Sequence, residues 1–371
     1  MTNIQFQPSS KSQQDFYKTL QKRVNAHFQA EQTHKHANKS MLFKCGLFFT
    51  TTLALYLLFI SNWFTFWQLL PIAILLGWFK ALTGINIGHD AIHGAFSSSK
   101  KWNEVLGRIF DLLGVNPYTW RITHNIVHHT YTNIPEHDYD IEVSPKLLRM
   151  SPKGILLPHM RFQQYYAFVL YGFSSIFRAF SQEYVKFFSK KLGGYDCPTP
   201  PRKEYVHLFF WRFLFYTLFL AVPLMRLSLV WWQVILLFIV MMFIQGLFLG
   251  VVFQLAHIVE KVDFPAPNQE GELQHTWAVH QLKTTANFAA QNPVVNFLCG
   301  GLNTQIEHHL FPHICHIHYP NIAPIVAKTA EEFGLPYNEY PTFSSALKSH
   351  FRQLKKFGQG ETKAKNEFAV S

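Results

Sequence analysis

Four apolar runs, arranged in two pairs, leave this chain few folds to choose from. Residues 43–61 and 63–87 meet at Ser61 and Asn62, and residues 206–225 and 229–256 are parted only by Arg226, Leu227 and Ser228. Crossing the roughly 30 Å hydrocarbon core of a bilayer takes about 20 helical residues, which each run supplies. Lipid offers the backbone no hydrogen bonds, so each run is expected to be a helix. Only 15% of the 371 residues are charged and 49% are hydrophobic, which fits a membrane protein better than a soluble one of this length. The expected fold is all-α: four transmembrane helices in two hairpins, with a helical cap outside the membrane.

Lysine and arginine counts orient the hairpins, because cytoplasmic flanks hold the excess. Residues 1–44 carry seven, residues 88–205 fourteen and the chain from 257 onward nine, whereas the two turns hold only Arg226. Both turns are therefore expected outside, and the cap and both termini in the cytoplasm. The polar first forty residues do not read as a cleaved secretory signal. Within them Phe16, Leu20, Val24 and Phe28 recur every fourth residue, so 13–30 reads as an amphipathic helix packed on the protein's own cytosolic face. Residues 162–180, apolar but interrupted by Gln163, Gln164, Gly172 and Arg178, read as an interfacial segment. Lys80 is expected to snorkel toward the headgroups. The net charge of +11 comes without any nucleic-acid motif, and anionic lipid is the expected partner. Cys45, Cys197, Cys299 and Cys315 show no metal or redox spacing and read as reduced thiols.

Three histidine clusters lie beside the membrane runs on one side. His89 and His93 in HDAIH share a helical face at i, i+4, as do His124 and His128 in HNIVHH; His129 is turned by about 100° and reaches a neighbouring metal. The third is QIEHH, with Gln305, His308 and His309. The fourth run spans roughly 40 Å at 1.5 Å per residue, so its end projects from the hydrocarbon and brings His257 to the same side. Eight histidines exceed the four ligands of one zinc, and two metals fit better. An all-nitrogen set without thiolates suits iron, copper or zinc. Asp90 and Glu307 inside the clusters are placed to accept a ring N–H and so orient a ligand imidazole, Glu307 reading equally as a solvated helix residue, with Asn125 and Asn303 as weaker candidates. Asp138 and Asp140 read as surface-loop residues. His275, Trp277, His280 and Thr284 read as packing, or as a cover of the site where an electron donor docks. His313, His316 and His318 are spaced poorly for a shared face.

HDAIH, HNIVHH followed by TYTNI, and GGLNTQIEHHLFP resemble the three histidine boxes of the membrane fatty acid desaturases, in order and with that family's membrane spacing. The glutamine that opens the third box is similar to the front-end, linoleoyl-CoA desaturase-like branch. The resemblance implies that His89, His93, His124, His128, His129, His308 and His309 ligate two irons, with His257 as a further ligand. Gln305 stands where other branches place a histidine and is a metal ligand or a neighbour of one. Phe253 occupies the position where related enzymes use an asparagine to hold a metal-bound water. The domain expected is 41–350, after a cytosolic N-terminal segment 1–40 and before a C-terminal tail 351–371.

The reaction so implied inserts a double bond into an acyl chain carried by coenzyme A or a lipid, using O2 and two external electrons. The chain has no dinucleotide-binding glycine motif, iron–sulfur cysteines or haem-attachment motif, and forty residues are too few for a fused haem domain. A separate ferredoxin or small haem cytochrome with its reductase is the expected donor, drawn to the basic face. Three rivals stand beside this reading. A histidine-box hydroxylase or ketolase would add oxygen to the lipid, a zinc-dependent membrane hydrolase would need neither oxygen nor reductant, and a receptor with a structural metal would catalyse nothing.

Overall fold

The structure, a computed structural model, describes residues 4–141 and 146–361. Helix α1 (Lys11–Ala30) precedes a first hairpin of α2 (Lys39–Phe59) and α3 (Phe66–Thr83), the latter continuing as helix to Ile92. Helix α4 (Gln163–Phe177) lies between the hairpins. The second hairpin is α5 (Arg202–Tyr216), continuing to Arg226, and α6 (Trp231–His257). The chain then forms α7 (Trp277–Thr284), α8 (Gln305–Leu310), α9 (Tyr319–Glu332) and α10 (Phe343–Gly358).

All four apolar runs are thus helices long enough to span a bilayer. The first begins at Lys39 because the Asn38 side chain accepts from the Met41 N–H at 3.0 Å and caps the helix. The second begins at Phe66 and extends past the expected 87 to Ile92, so that His89 sits within it. The two turns meet: Asn62 Nδ2 donates to Ser228 Oγ (2.9 Å) and Ser228 N–H donates to Asn62 Oδ1 (2.8 Å). Both turns therefore lie at the same end of the bundle, opposite the histidines. Trp63, Trp67, Trp231 and Trp232 are exposed there, as in the aromatic belt of a membrane interface.

Two glycines on the spans let backbones approach. A Cβ on Gly77 of α3 would collide with the Met241 carbonyl of α6, and one on Gly246 would lie 2.7 Å from the Tyr171 carbonyl oxygen of α4. Helix α4 thereby packs along α6, burying Ala167, Tyr171 and Ser175 while Tyr165, Val169 and Phe177 face outward. Lys80 does not snorkel. It is 2% exposed, and its ammonium lies 3.7 Å from the centroid of the Phe219 ring. A cation–π contact replaces water where neighbouring spans close over the side chain.

The apolar stripe of α1 packs into protein: Phe16, Leu20, Val24 and Phe28 join Ile306 and Leu310 of α8 and Ile322, Val326 and Ala330 of α9 in one core. Residues Gln5–Phe6 pair in parallel with Glu272–Leu273, tying the N-terminal segment to the cap. Residues 351–358 of the expected C-terminal tail are helical. Helix α10 runs to Gly358, buries Leu354 and Phe357, and holds Arg149 through the Phe357 carbonyl at 2.8 Å. The rest of the expected tail from 362 lies outside the described residues.

Candidate metal centre

Local helix winding aims the histidines. A π-helical stretch, Gly84–Gly88, precedes His89, and a second, Arg121–His128, carries His124 and His128. Such wider turns are frequent at functional sites because the extra residue re-aims the side chains beyond it. The ligand atoms of His89, His93, His124 and His308 lie within 4.8 Å of one another, and so do those of His128, His257 and His309. His124 and His128 stack at 5.1 Å between centroids, yet each joins a different group. The expectation that they serve one metal and His129 the other does not describe this geometry. Instead His129 lies between the groups, its ring centroid 4.9 Å from His93, 4.7 Å from His308 and 4.3 Å from His309.

The outward ring nitrogens are pinned. His128 Nδ1 meets both Asp138 oxygens, at 3.0 and 2.9 Å, and His124 Nδ1 meets Asp140 Oδ2 at 3.0 Å. His309 Nδ1 donates to Gln281 Oε1 at 2.7 Å. A donor so fixed leaves Nε2 as the free lone pair, the arrangement metal-binding histidines use. Among the described residues the buried Nε2 atoms of His89, His93, His124, His128, His129 and His308 have no hydrogen-bond partner. Buried polar atoms are nearly always partnered, so this many converging acceptors fit cations. Burial, followed by the neighbouring histidines, holds His93, His124, His129, His308 and His309 well below the usual imidazole pKa. Burial also pushes His128 down, but the Asp138 carboxylate outweighs it and leaves that ring raised. Neutral imidazole is the form that binds metal.

Gln305 belongs to the second group: its Nε2 lies 2.9 Å from His257 Nε2 and 3.3 Å from His309 Nε2. Asp90 and Glu307 do not orient ligand rings by hydrogen bonds. Asp90 turns to His316, accepting from its backbone N–H (3.1 Å) and from Nδ1 (2.8 Å), and stays 3.9 Å from His89 Nδ1. Glu307 points the other way and is neither solvated nor in contact with a histidine of the site. It accepts from Asn287 Nδ2 (2.8 Å) and Tyr337 OH (2.9 Å), with burial pushing its pKa up to about 7. Asn125 donates to the Ile92 carbonyl at 3.2 Å, tying the helical segments of the first two boxes together, and Asn303 donates to Asn296 Oδ1 at 2.5 Å in the helix Pro293–Cys299.

The ring orienters are residues the sequence presents differently. Asp138 and Asp140 are buried against the second box, not on a surface loop. Gln281 carries no sequence signal of its own; the α7 stretch that contains it holds the site by hydrogen bonds. Trp277 Nε1 donates to the His129 carbonyl (2.8 Å), as does Gln281 Nε2 (3.1 Å), and His280 Nε2 meets the Thr132 carbonyl at 2.8 Å. A third cluster, Asp90, Cys315 and His316, is compact but contains its own cation. Lys44 Nζ lies 2.9 Å from His316 Nε2, and burial followed by Asp90 raises the Cys315 pKa, so no thiolate is offered there.

A cavity opens against the first histidine group, with His89 and His124 in its wall. Gly84, Ile85, Leu113 and Phe253 make it apolar on one side, and Arg178 and Lys186 line it on another. A buried dimetal-sized histidine cage facing an apolar slot suits oxidation of a hydrocarbon chain. The fatty acid desaturase family matches residues 65–341 of the sequence. The chain belongs to this family. Its relatives include the sn-1 linoleoyl-lipid 6-desaturases of Arthrospira platensis, 36% identical over 96% of both chains, and of Synechocystis, 36% identical over 93% of this chain and 96% of the relative. The acyl-lipid (8-3)-desaturase of Physcomitrium patens is 34% identical over 94% of this chain and 72% of its own length. The protein is therefore a fatty acid desaturase, an oxidoreductase that introduces double bonds, and its histidine groups are its candidate metal site. The histidine-box hydroxylase, the hydrolase and the receptor fall away as primary readings.

Proposed function

We propose that this desaturase acts on glycerolipid-bound acyl chains, inserting a double bond between the carboxyl end and an existing double bond. The observation that carries the reading is a pair of buried histidine groups, the first of which, with unshared Nε2 lone pairs on His89 and His124, faces a largely apolar cavity. The names of the relatives support the acyl-lipid substrate and the front-end position. His89, His93, His124 and His308 would hold one iron, His128, His257 and His309 the other, and His129 would complete either set. The orientation of a glutamine amide is an assignment, and turning Gln305 over would direct Oε1 at the second iron. When bound, the two irons supply the power to activate O2 and oxidise an unactivated methylene, which no side chain does unaided.

The residues of the chain do the rest. Asp138, Asp140 and Gln281 keep the ligand rings aimed, and the cavity walls hold the acyl chain against His89 and His124 and exclude water. Electrons come from a separate ferredoxin or small haem cytochrome, which the basic surface attracts. The lysine and arginine distribution supports a cytoplasmic site with both termini on that side. The test is the fatty acid profile, with double-bond localisation, of cells expressing the protein and a compatible donor beside a His128→Ala control. A new oxygen-dependent unsaturated lipid absent from the control is expected. A hydroxylated product, or a double bond counted from the methyl end, would refute the reading.

A further inference from the structure

The segment after α4 presents Arg178, Gln182 and Lys186 to the cavity, at i, i+4 and i+8 of one helical face. Lys186 is the unusual member. Its side chain is only 3% exposed, yet among the described residues its ammonium has no hydrogen bond; Asp140 Oδ1 lies 3.9 Å away and the Tyr139 ring centroid 5.0 Å. An ammonium on the cavity wall, held away from bulk water with only a 3.9 Å ion pair, still has room for an acceptor at hydrogen-bonding distance. Opposite charges surround it, with Arg178 beside Glu183 and Asp140 beside Lys186. That balance disfavours a second anion and suits a neutral acceptor such as a carbonyl oxygen.

Its position relative to the histidines is fixed. Glu183, one turn before Lys186, accepts from the Asn116 backbone N–H (2.9 Å) and from Thr119 Oγ1 (2.6 Å), bracing the segment against the start of the helix that carries His124. Asp140 then links the two directly, with Oδ2 on His124 Nδ1 at 3.0 Å and Oδ1 toward Lys186. Only one carboxylate and one imidazole separate the ammonium from the metal-facing nitrogen of His124. Leu113, packed on Gly84, lines the cavity elsewhere together with Ile85, Phe110 and Val115, an apolar stretch suited to the methyl end.

We propose that Lys186 donates a hydrogen bond to the acyl ester carbonyl of the substrate and so fixes, counted from the carboxyl end, which methylenes face the histidine centre. The inference rests on the acyl-lipid reading above and adds the anchor that gives that reading its position. It makes Lys186 a positioning residue, short of the chemistry itself.

The experiment compares binding of a glycerolipid with an ester-linked unsaturated chain and its ether-linked counterpart, which lacks the carbonyl. Full-length protein is used as purified, with no electron donor, so nothing turns over. A hydrogen bond to a charged donor predicts about tenfold tighter binding of the ester by the wild type. The ratio should fall to about one in Lys186→Met and persist in Lys186→Arg. With donor and O2 added, Lys186→Met should scatter the double bond over neighbouring positions, an effect that simple loss of packing would not produce. Equal affinity of the wild type for both lipids overturns the proposal whether or not a variant folds, and so does an unchanged ratio in Lys186→Met. If instead the wild type prefers the ester but forms no double bond in it, the acyl-lipid reading fails while the carbonyl contact stands.

Discussion

Replacing Asp138 with asparagine tests how much of the metal site depends on a residue that touches no metal. Both Asp138 oxygens face His128 Nδ1, and they also accept the Asn133 N–H at 2.9 Å and the Asp140 N–H at 3.1 Å, with aspartate and imidazole side chains fully buried. Asparagine keeps one oxygen. Whichever donor that oxygen serves, the amide NH2 faces another N–H, so either the His128 ring loses its acceptor or a backbone donor is orphaned. Losing an outer partner of a ligand histidine costs about 10–100-fold in metal affinity, or about 1.4–2.7 kcal/mol at 1.36 kcal/mol per tenfold. The carboxylate charge goes too, which lowers the basicity of the imidazole in the same direction. The assay is metal retention against a graded chelator, with thermal unfolding of the metal-loaded protein as control. Asp140→Asn, which gives up a single 3.0 Å contact, should lose less. If Asp138→Asn holds its metal within twofold of wild type, the orienting role assigned to Asp138 is wrong.

Gln281→Leu removes the acceptor of His309 Nδ1 and of Thr132 Oγ1 together with a donor to the His129 carbonyl; a loss of about 1–3 kcal/mol in unfolding free energy and weaker metal binding are expected, read by thermal melting and metal analysis. Leu113→Ala should cost about 2–5 kcal/mol of stability, since the side chain is buried. Because Leu113 also borders a second apolar cavity lined by Phe49, Tyr56 and Phe219, the variant should accept longer acyl chains than the wild type in product analysis. Metal-free protein should lose stability as pH falls below about 6.5. The five histidines held below their unfolded pKa take up protons on unfolding, so stability rises with pH between the folded and unfolded values, and the raised His128 opposes this only singly. Detergent-solubilised protein melted at pH 7.5 and 5.5 reads the sign; a higher melting temperature at the lower pH contradicts it.

By itself the sequence determined the parts whose physics is local. Runs of apolar residues long enough for the bilayer must be helices, the four-residue stripe of α1 must bury one face, and histidines at helical spacing beside span ends can converge on one region. Period and length dictate all three, so the fold class and the participating boxes were legible in advance. Tertiary structure decided which partners those residues meet. Asp138 and Asp140 sit ten and sixteen residues past the histidines they orient, across a loop whose course no periodicity encodes. Gln281 reaches His309 from another helix, and Glu307, though between box residues, faces Asn287 and Tyr337 because its helical direction is opposite to the metals. Lys80 stays inside because neighbouring spans close over it with Phe219. The division of seven histidines into two groups, with His129 between them, was decided there too: π-helical winding changes the angle between successive residues, and that winding is selected by packing against the rest of the cap rather than by residue type.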